Sequence, residues 1–184
     1  MTNMKTIFMV ILMVLVSFNA SAQISRTIMG MTLGVSTPEQ CAQIMERKGI
    51  KLRGNKTELV YGGEDQIVTF AGTNWHSFQL KFYKGKLCDI VFQLVDRFDK
   101  DDEMSVGNTL ISYSLNRKYS KYRIDIGTGN LTSRDVFIDG RTTVQLFYQE
   151  RNDYKKPYLG LGYKDNALSE ARNREELKFI DKDL

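Results

Sequence analysis

The sequence has few of the residues that build metal centres. Its 184 residues include one histidine and two well-separated cysteines, whereas a typical structural zinc site takes four histidine or cysteine ligands. A typical zinc site is therefore excluded, and we expect neither a metal nor a cofactor. Proline is also scarce, with Pro38 and Pro157 alone. With an ordinary apolar content, this composition predicts a folded chain and not a disordered one.

The sequence also has no strong excess of one charge. It carries 26 basic and 22 acidic residues, for a formal net charge of +4, and the basic residues are scattered. Proteins that bind nucleic acid usually concentrate their basic residues on one face. We therefore expect no nucleic-acid partner.

Long apolar runs are missing except near the start of the chain. There Lys5 precedes the run from Ile7 to Val16, and Ala20-Ser21-Ala22 follows, an order typical of a secretory signal peptide cleaved after Ala22. The sequence thus predicts a signal peptide at 1–22 and one domain at 23–184, located in the periplasm or secreted. No later run approaches the roughly 20 apolar residues of a membrane helix, so no membrane span is expected. The residue directly after the cleavage point is Gln23 and not cysteine, which removes the usual bacterial lipid attachment site.

Two helices and a charged tail are predicted. Thr37, Pro38 and Gln40 form a capping box with proline at the first helical position, which starts a helix over 38–48. A second helix is predicted over 100–118, in which Gly107 costs about 1 kcal/mol relative to alanine unless the helix must approach the sheet closely there. Its expected inner stripe is Met104, Gly107, Leu110, Ile111 and Leu115. The tail, 166–184, is charged and is expected to be helical between Ala167 and Leu177.

The remaining chain has strand patterns separated by short turns. Phe78, Leu80 and Phe82 alternate with polar residues, which predicts a strand with one buried face. The predicted strands are 57–61, 66–72, 75–83, 86–95, 123–126, 134–139, 142–149 and 158–164. Short turns favour antiparallel pairing. We predict an α+β fold: an antiparallel meander sheet with helices packed on one face, and two tandem α-β repeats at 27–96 and 97–165 as a further hypothesis.

The turn at Lys84-Gly85 raises the question of how Cys88 is oriented. A two-residue loop puts Cys88 opposite Lys81 and therefore on the wrong face, so a bulge or a three-residue loop must restore the phase. With that correction Cys88 faces the same core as Cys41. A disulfide between them is one interpretation, in a compartment that permits it; two buried free thiols are the other.

The chain resembles the β-lactamase-inhibitor-protein-like fold group, which includes small outer-membrane assembly lipoproteins. The resemblance rests on three segments: GMTLGVS at 30–36, the helix start TPEQ at 37–40, and the strand-turn-strand FYKGKL at 82–87. It implies an α+β sheet with helices on one face and a role in binding other macromolecules. The missing lipidated cysteine sets this chain apart from the lipoproteins.

Three residues are candidates for a binding site: Trp75, His76 and Tyr83. Trp75 is predicted on the face opposite Phe78, where it either anchors a partner, as tryptophan often does, or covers a second apolar layer with Tyr83. His76 could act as a general base, but no nucleophile motif accompanies it, so we expect no catalytic residues. The acidic cluster Asp96, Asp99, Asp101, Asp102 and Glu103 suits a helix N-terminus better than calcium, because it lacks the EF-hand pattern.

These observations predict a non-enzymatic, exported binding protein of the bacterial cell envelope, whose partner is another envelope protein. An antiparallel sheet with one helix-covered side leaves its other side available for such contacts. The alternative is a carrier of a small ligand in a cleft between sheet and helices. A hydrolase using His76 ranks last, because no catalytic constellation is visible.

Overall fold

The computed structural model describes residues 23–52, 58–63, 66–95, 101–150 and 157–183. The predicted signal peptide, together with Asp96 and Asp99 of the acidic cluster, lies outside the described residues. The strands are β1 (Thr27–Ile28), β2 (Met31–Thr32), β3 (Glu58–Gly62), β4 (Val68–Phe70), β5 (Thr73–Trp75), β6 (Ser77–Tyr83), β7 (Lys86–Val95), β8 (Arg123–Ile124), β9 (Ser133–Ile138), β10 (Thr142–Gln149) and β11 (Tyr158–Asp165). The helices are α1 (Pro38–Arg47), α2 (Asp101–Tyr119) and α3 (Asn166–Asp183), with a 3-10 turn at Ser120–Tyr122.

One seven-stranded sheet organises the molecule. Its order is β3-β6-β7-β11-β10-β9-β8, and every neighbouring pair is antiparallel. Two short hairpins, β1–β2 and β4–β5, stand apart from it. The predicted α+β class with an antiparallel sheet is confirmed. The tandem repeat is not confirmed and stays a prediction.

Helix α1 begins at the predicted capping box. Gln40 N donates to Thr37 Oγ1 at 3.3 Å, and Thr37 N donates to Gln40 Oε1 at 3.0 Å, so two amide groups at the helix start are satisfied by neighbouring side chains. The face toward the sheet buries Cys41 and Met45. The local sequence alone therefore sets where this helix starts.

The β6–β7 hairpin has the predicted turn, and of the two expected ways to restore the phase it has the bulge. Tyr83 pairs with Lys86 and Phe82 with Leu87, and the register then shifts, so that Lys81 pairs with Asp89. Cys88 is the extra residue. After the bulge, Ile90, Phe92 and Leu94 are buried, as their alternation predicts.

The main core lies between the sheet and helices α1 and α2. The side chains of Phe78, Phe92 and Leu161 form a buried row across β6, β7 and β11. Helix α2 comes close to the sheet at Gly107, where an added Cβ would lie 3.2 Å from Leu159 Cδ2, which is the condition under which glycine suits this helix. The prediction that Leu110 lies on the inner stripe is wrong: its side chain is 57% exposed.

Helix α3 packs on the other face of the sheet, which we call the outer face. Asp89 points away from the core that contains Ile90, and it accepts a hydrogen bond from Ser169 Oγ of α3 at 2.7 Å. Helices α1 and α2 thus share one face, as predicted, whereas the C-terminal helix covers one end of the outer face. Among the described residues, no helix is both long and apolar enough to cross a membrane.

Candidate functional site

A shallow cleft on the outer face is formed by the sequence of β11. Leu159, Leu161 and Tyr163 point into the core, so the alternating positions Gly160 and Gly162 lie on the outer face. Glycine in a central strand leaves bare backbone to which another molecule can come close. We call the depression above Gly162 the glycine cleft.

The register of the sheet brings polar residues together around Gly162, which forms the floor of the glycine cleft. Lys81 pairs with Asp89, Asp89 with Lys164, and Lys164 with Thr143, so four side chains form one row across four strands. Gly162 lies between Val91 and Gln145 in the next row. The cleft has a volume of about 250 Å³, and its described lining is Lys81, Asp89, Val91, Thr143, Gln145, Phe147, Gly162, Tyr163, Lys164 and Arg172.

The lining carries more positive than negative charge. Lys81, Lys164 and Arg172 are cations, and Asp89 is the carboxylate among the described lining residues. Among the described residues, Lys164 forms no ion pair, because Asp89 is engaged by α3. The arrangement therefore favours a ligand group with negative charge. The attraction should be about as strong as that within a partly exposed ion pair.

Asp89 belongs to a buried polar network that fixes α3 on the sheet. Its carboxylate accepts from Ser169 at 2.7 Å and lies 3.3 Å from Arg172 Nη1. Glu176 Oε1 lies 3.3 Å from Arg172 Nε but without the alignment of a hydrogen bond, since that nitrogen has no hydrogen-bond partner among the described residues. The network holds Arg172 at the end of the cleft.

Phe147 forms the other wall of the cleft. Its ring stacks on Tyr158 with centroids 5.4 Å apart and covers the neighbouring Gly160. A Cβ added at Gly160 would overlap this ring, whereas one added at Gly162 would meet nothing closer than Gln145 O at 3.9 Å. The two glycines therefore differ, because Gly160 accommodates the Phe147 ring whereas Gly162 leaves open space above the sheet.

This difference predicts opposite effects of two matched substitutions. Gly162→Ala should leave the free energy of unfolding unchanged or raise it by up to about 1 kcal/mol, because alanine restricts the unfolded chain. Gly160→Ala should lower it by about 1–3 kcal/mol, because the Phe147 ring must move. Urea unfolding followed by circular dichroism measures both. Equal effects of the two variants would contradict the described cleft.

Trp75 does not lie where a partner could reach it. Its side chain is fully buried, its Nε1 donates to Phe70 O at 2.9 Å, and its ring lies 5.6 Å from that of Phe92. The prediction assumed one continuous strand over 75–83, but the chain bends at His76, and β5 and β6 belong to different sheets. Trp75 therefore shares the face of Phe78, and its role as an exposed anchor is corrected to a core residue.

His76 and Tyr83 are both half-buried, and neither lies in the described lining of the glycine cleft. The backbone of His76 bonds to Gln93 O and Gly63 N, while no described residue forms a hydrogen bond with its imidazole. Tyr83 lies at the tip of the β6–β7 hairpin, with the Lys84 ammonium 5.2 Å from its ring centroid.

The two cysteines are free and buried on different sides of the sheet. Cys41 belongs to the core under α1, whereas Cys88 lies against α3, where its Sγ donates to Lys81 O at 3.2 Å and is 3.9 Å from Arg172 Nη1. The expectation that Cys88 faces the core of Cys41 is wrong, because the bulge turns Cys88 to the side of Asp89. The disulfide is thus not formed in this structure.

A second surface feature is an apolar row on α2. Val106, Leu110 and Tyr113 are exposed by 58%, 57% and 66%, and their spacing places them on one side of the helix. The sequence analysis missed this row because it assigned Leu110 to the core. Exposed apolar rows of this kind often contact other proteins.

Among the described residues, no group of three or more histidine, cysteine, aspartate or glutamate side chains could hold a metal ion. Comparison of the chain with protein-family models, curated proteins and solved structures gave no match. The resemblance to the β-lactamase-inhibitor-protein-like group therefore stays a prediction, and any function must be argued from the site.

Proposed function

We propose that the protein is a non-enzymatic, exported binding protein of the bacterial cell envelope, which holds an acidic group of another envelope protein in the glycine cleft. The observation that carries the proposal is the bare backbone at Gly162 beside Lys164, which forms no ion pair with the residues that the structure describes. A partner's carboxylate could reach the ammonium group while the rest of its side chain packs over the glycine against Phe147.

The surroundings of the cleft support binding over chemistry. Burial, reinforced by the negative charge of Asp89 and opposed by Arg172, raises the pKa of Cys88 to about 12. Its thiol stays protonated at neutral pH and is a poor nucleophile. Asp89 is already occupied by Ser169 and Arg172, so it is not positioned as a general base.

The proposal is tested by comparing three baits in affinity capture from a bacterial envelope extract. Wild type should capture a partner from the extract. The amount captured by Gly162→Leu should be lower by about tenfold or more, because leucine fills the floor of the cleft. Lys164→Gln should weaken capture several-fold and reduce its dependence on salt, since an exposed charge acts through screened attraction. Lys48→Gln, on the exposed end of α1, serves as the matched control and should behave as wild type.

Melting curves of each bait should show that all are folded. A partner captured equally by wild type and Gly162→Leu would contradict the role of the cleft. If Lys48→Gln and Lys164→Gln weakened capture alike, the attraction would be general and not a property of this site.

A further inference from the structure

A basic surface with tyrosine rings lies at the C-terminal end of α2. It contains three exposed cations, each over a tyrosine ring, and the pairs are Arg117 with Tyr113, Lys118 with Tyr119, and Lys121 with Tyr122. The distances from the cationic group to the ring centroid are 6.0, 5.1 and 4.6 Å. Such contacts hold long side chains against the protein, so their charges stay together. We call this surface, together with the exposed Ile124 and Ile126, the basic end of α2.

The charges of the basic end are not neutralised by the part of the molecule that the structure describes. None of its three cations forms an ion pair with a described residue. The next cation along the chain differs, because Arg123 forms an ion pair with Asp135 at 2.8 Å and donates to Asn116 Oδ1 at 2.9 Å. One exposed carboxylate, Asp125, lies in the same stretch of chain. The cations outnumber it, so the surface is positive.

Apolar side chains lie next to these charges. Tyr113, the last residue of the apolar row on α2, is one helical turn before Arg117 and is 66% exposed. Leu115, on the opposite side of the helix, is buried, so the row points away from the sheet. Beyond the helix, Ile124 and Ile126 are exposed by 37% and 48%. The basic end therefore combines unneutralised cations with exposed apolar groups.

This combination favours a lipid surface over a protein partner. In an anionic bilayer the phosphate groups lie directly above the acyl chains, so cations and apolar groups both find suitable surroundings there. Tyrosine is enriched at this level in membrane proteins. Lysine is depleted in protein–protein interfaces, whereas two of the three cations here are lysine.

The acidic residues at the start of α2 indicate how such a surface would be oriented. Asp102 lies about 15 residues before Arg117, which corresponds to about 22 Å along a helix. This is more than two Debye lengths at physiological salt, so the acidic residues hardly weaken the attraction at the basic end. They do disfavour contact of the whole helix with a negative surface.

We propose that the basic end of α2 docks on an anionic phospholipid bilayer. The three cations lie at the lipid phosphates, while Tyr113, Ile124 and Ile126 lie among the headgroups and the first acyl carbons. This goes beyond the proposed function, because α2 packs on the face of the sheet opposite the glycine cleft and the partner is a lipid surface.

Co-sedimentation with phospholipid vesicles tests the proposal. At low salt, the partition coefficient of the purified protein should be at least about tenfold higher with about 30% phosphatidylglycerol in phosphatidylcholine than with phosphatidylcholine alone. Raising the salt concentration should release the protein, because salt screens exposed charges. Any binding through the apolar run near the start of the chain would be the same in all variants and would also occur with neutral vesicles.

Two double variants with the same change in net charge locate the effect. Lys118→Gln with Lys121→Gln should lower the partition coefficient about 10- to 30-fold, at about fivefold for each cation near the bilayer. Lys48→Gln with Lys51→Gln, at the end of α1, is the matched control and should stay within about twofold of wild type. Tyr113→Ala should lower the coefficient several-fold, because an apolar contact with the bilayer is lost.

Several outcomes would overturn the proposal: equal binding to neutral and anionic vesicles, no binding to either, or equal losses in the two double variants. Poly-L-glutamate gives a further comparison. If it bound the protein through Lys118 and Lys121 while anionic vesicles did not, the surface would recognise an acidic polypeptide and not a membrane. Circular dichroism should show that every variant is folded. None of these outcomes depends on the glycine cleft.

Discussion

Replacing Trp75 with alanine should lower the free energy of unfolding by about 3–5 kcal/mol. The indole is fully buried against Phe92, so truncation leaves a cavity in the centre of the core. It also leaves Phe70 O without the hydrogen bond from Nε1. The loss is measured by urea unfolding followed by circular dichroism, since Trp75 is the chain's sole tryptophan and its fluorescence disappears with it.

Two further variants serve as controls for this loss of stability. Trp75→Phe keeps an aromatic ring and should cost clearly less than Trp75→Ala. Tyr113→Ala removes a side chain that is 66% exposed and should stay within about 0.5 kcal/mol of wild type. A cost of less than about 1 kcal/mol for Trp75→Ala would show that the indole is exposed after all, as in the partner-anchor hypothesis.

The second large effect is a loss of stability in alkaline solution. Burial raises the pKa of Cys41 to about 12, with a further contribution from the charge of Glu39, and the pKa of Cys88 is raised to about 12 as well. In the unfolded chain both thiols ionise near pH 9. From about pH 9 to 12 the folded state therefore holds protons that the unfolded state has released.

Because of this difference in bound protons, the free energy of unfolding falls as the pH rises. The stabilisation is complete below pH 9 and is lost as the pH rises toward 12, because the unfolded state binds fewer protons there. Since one pKa unit corresponds to about 1.4 kcal/mol, the two thiols together should account for several kcal/mol. The measurement is urea unfolding under reducing conditions at pH 8 and pH 11.

The control for this prediction is the double variant Cys41→Ala, Cys88→Ala. It should retain a smaller decline, to which Tyr61 contributes because its pKa is raised from 10 to about 12. If the double variant lost stability as steeply as wild type, the thiols would not be the cause. Omitting the reductant tests the disulfide directly, because bridged cysteines have no thiol proton to lose.

Features determined by neighbouring residues were predictable from the sequence. The capping box at Thr37 and Gln40 fixes the start of α1 through bonds that span three residues. The Lys84-Gly85 turn fixes the β6–β7 pairing. The phase mismatch around Cys88 called for either a bulge or a three-residue loop, and the structure has the bulge. The bounds predicted for β7 and β10 match the structure, because strict alternation identifies a strand with one buried face.

Features that depend on distant pairing were not predictable in the same way. Alternation alone could not show that the chain bends at His76, so Trp75 was assigned to the wrong face. Leu110 fits a buried helical stripe as well as Leu115 does, and only the position of α2 on the sheet decides which one is exposed.

The candidate site likewise has some features that the local sequence sets and others that depend on distant pairing. The sequence by itself sets the alternation of Gly160 and Gly162 with Leu159, Leu161 and Tyr163, although the sequence analysis did not single out these glycines as part of a site. Only the tertiary structure decided that β11 pairs with β7 and β10, that α3 occupies Asp89, and that Lys164 remains beside the open floor. The physical reason is that strand pairing and helix docking are selected by the burial of whole faces, to which residues far apart in the chain contribute together.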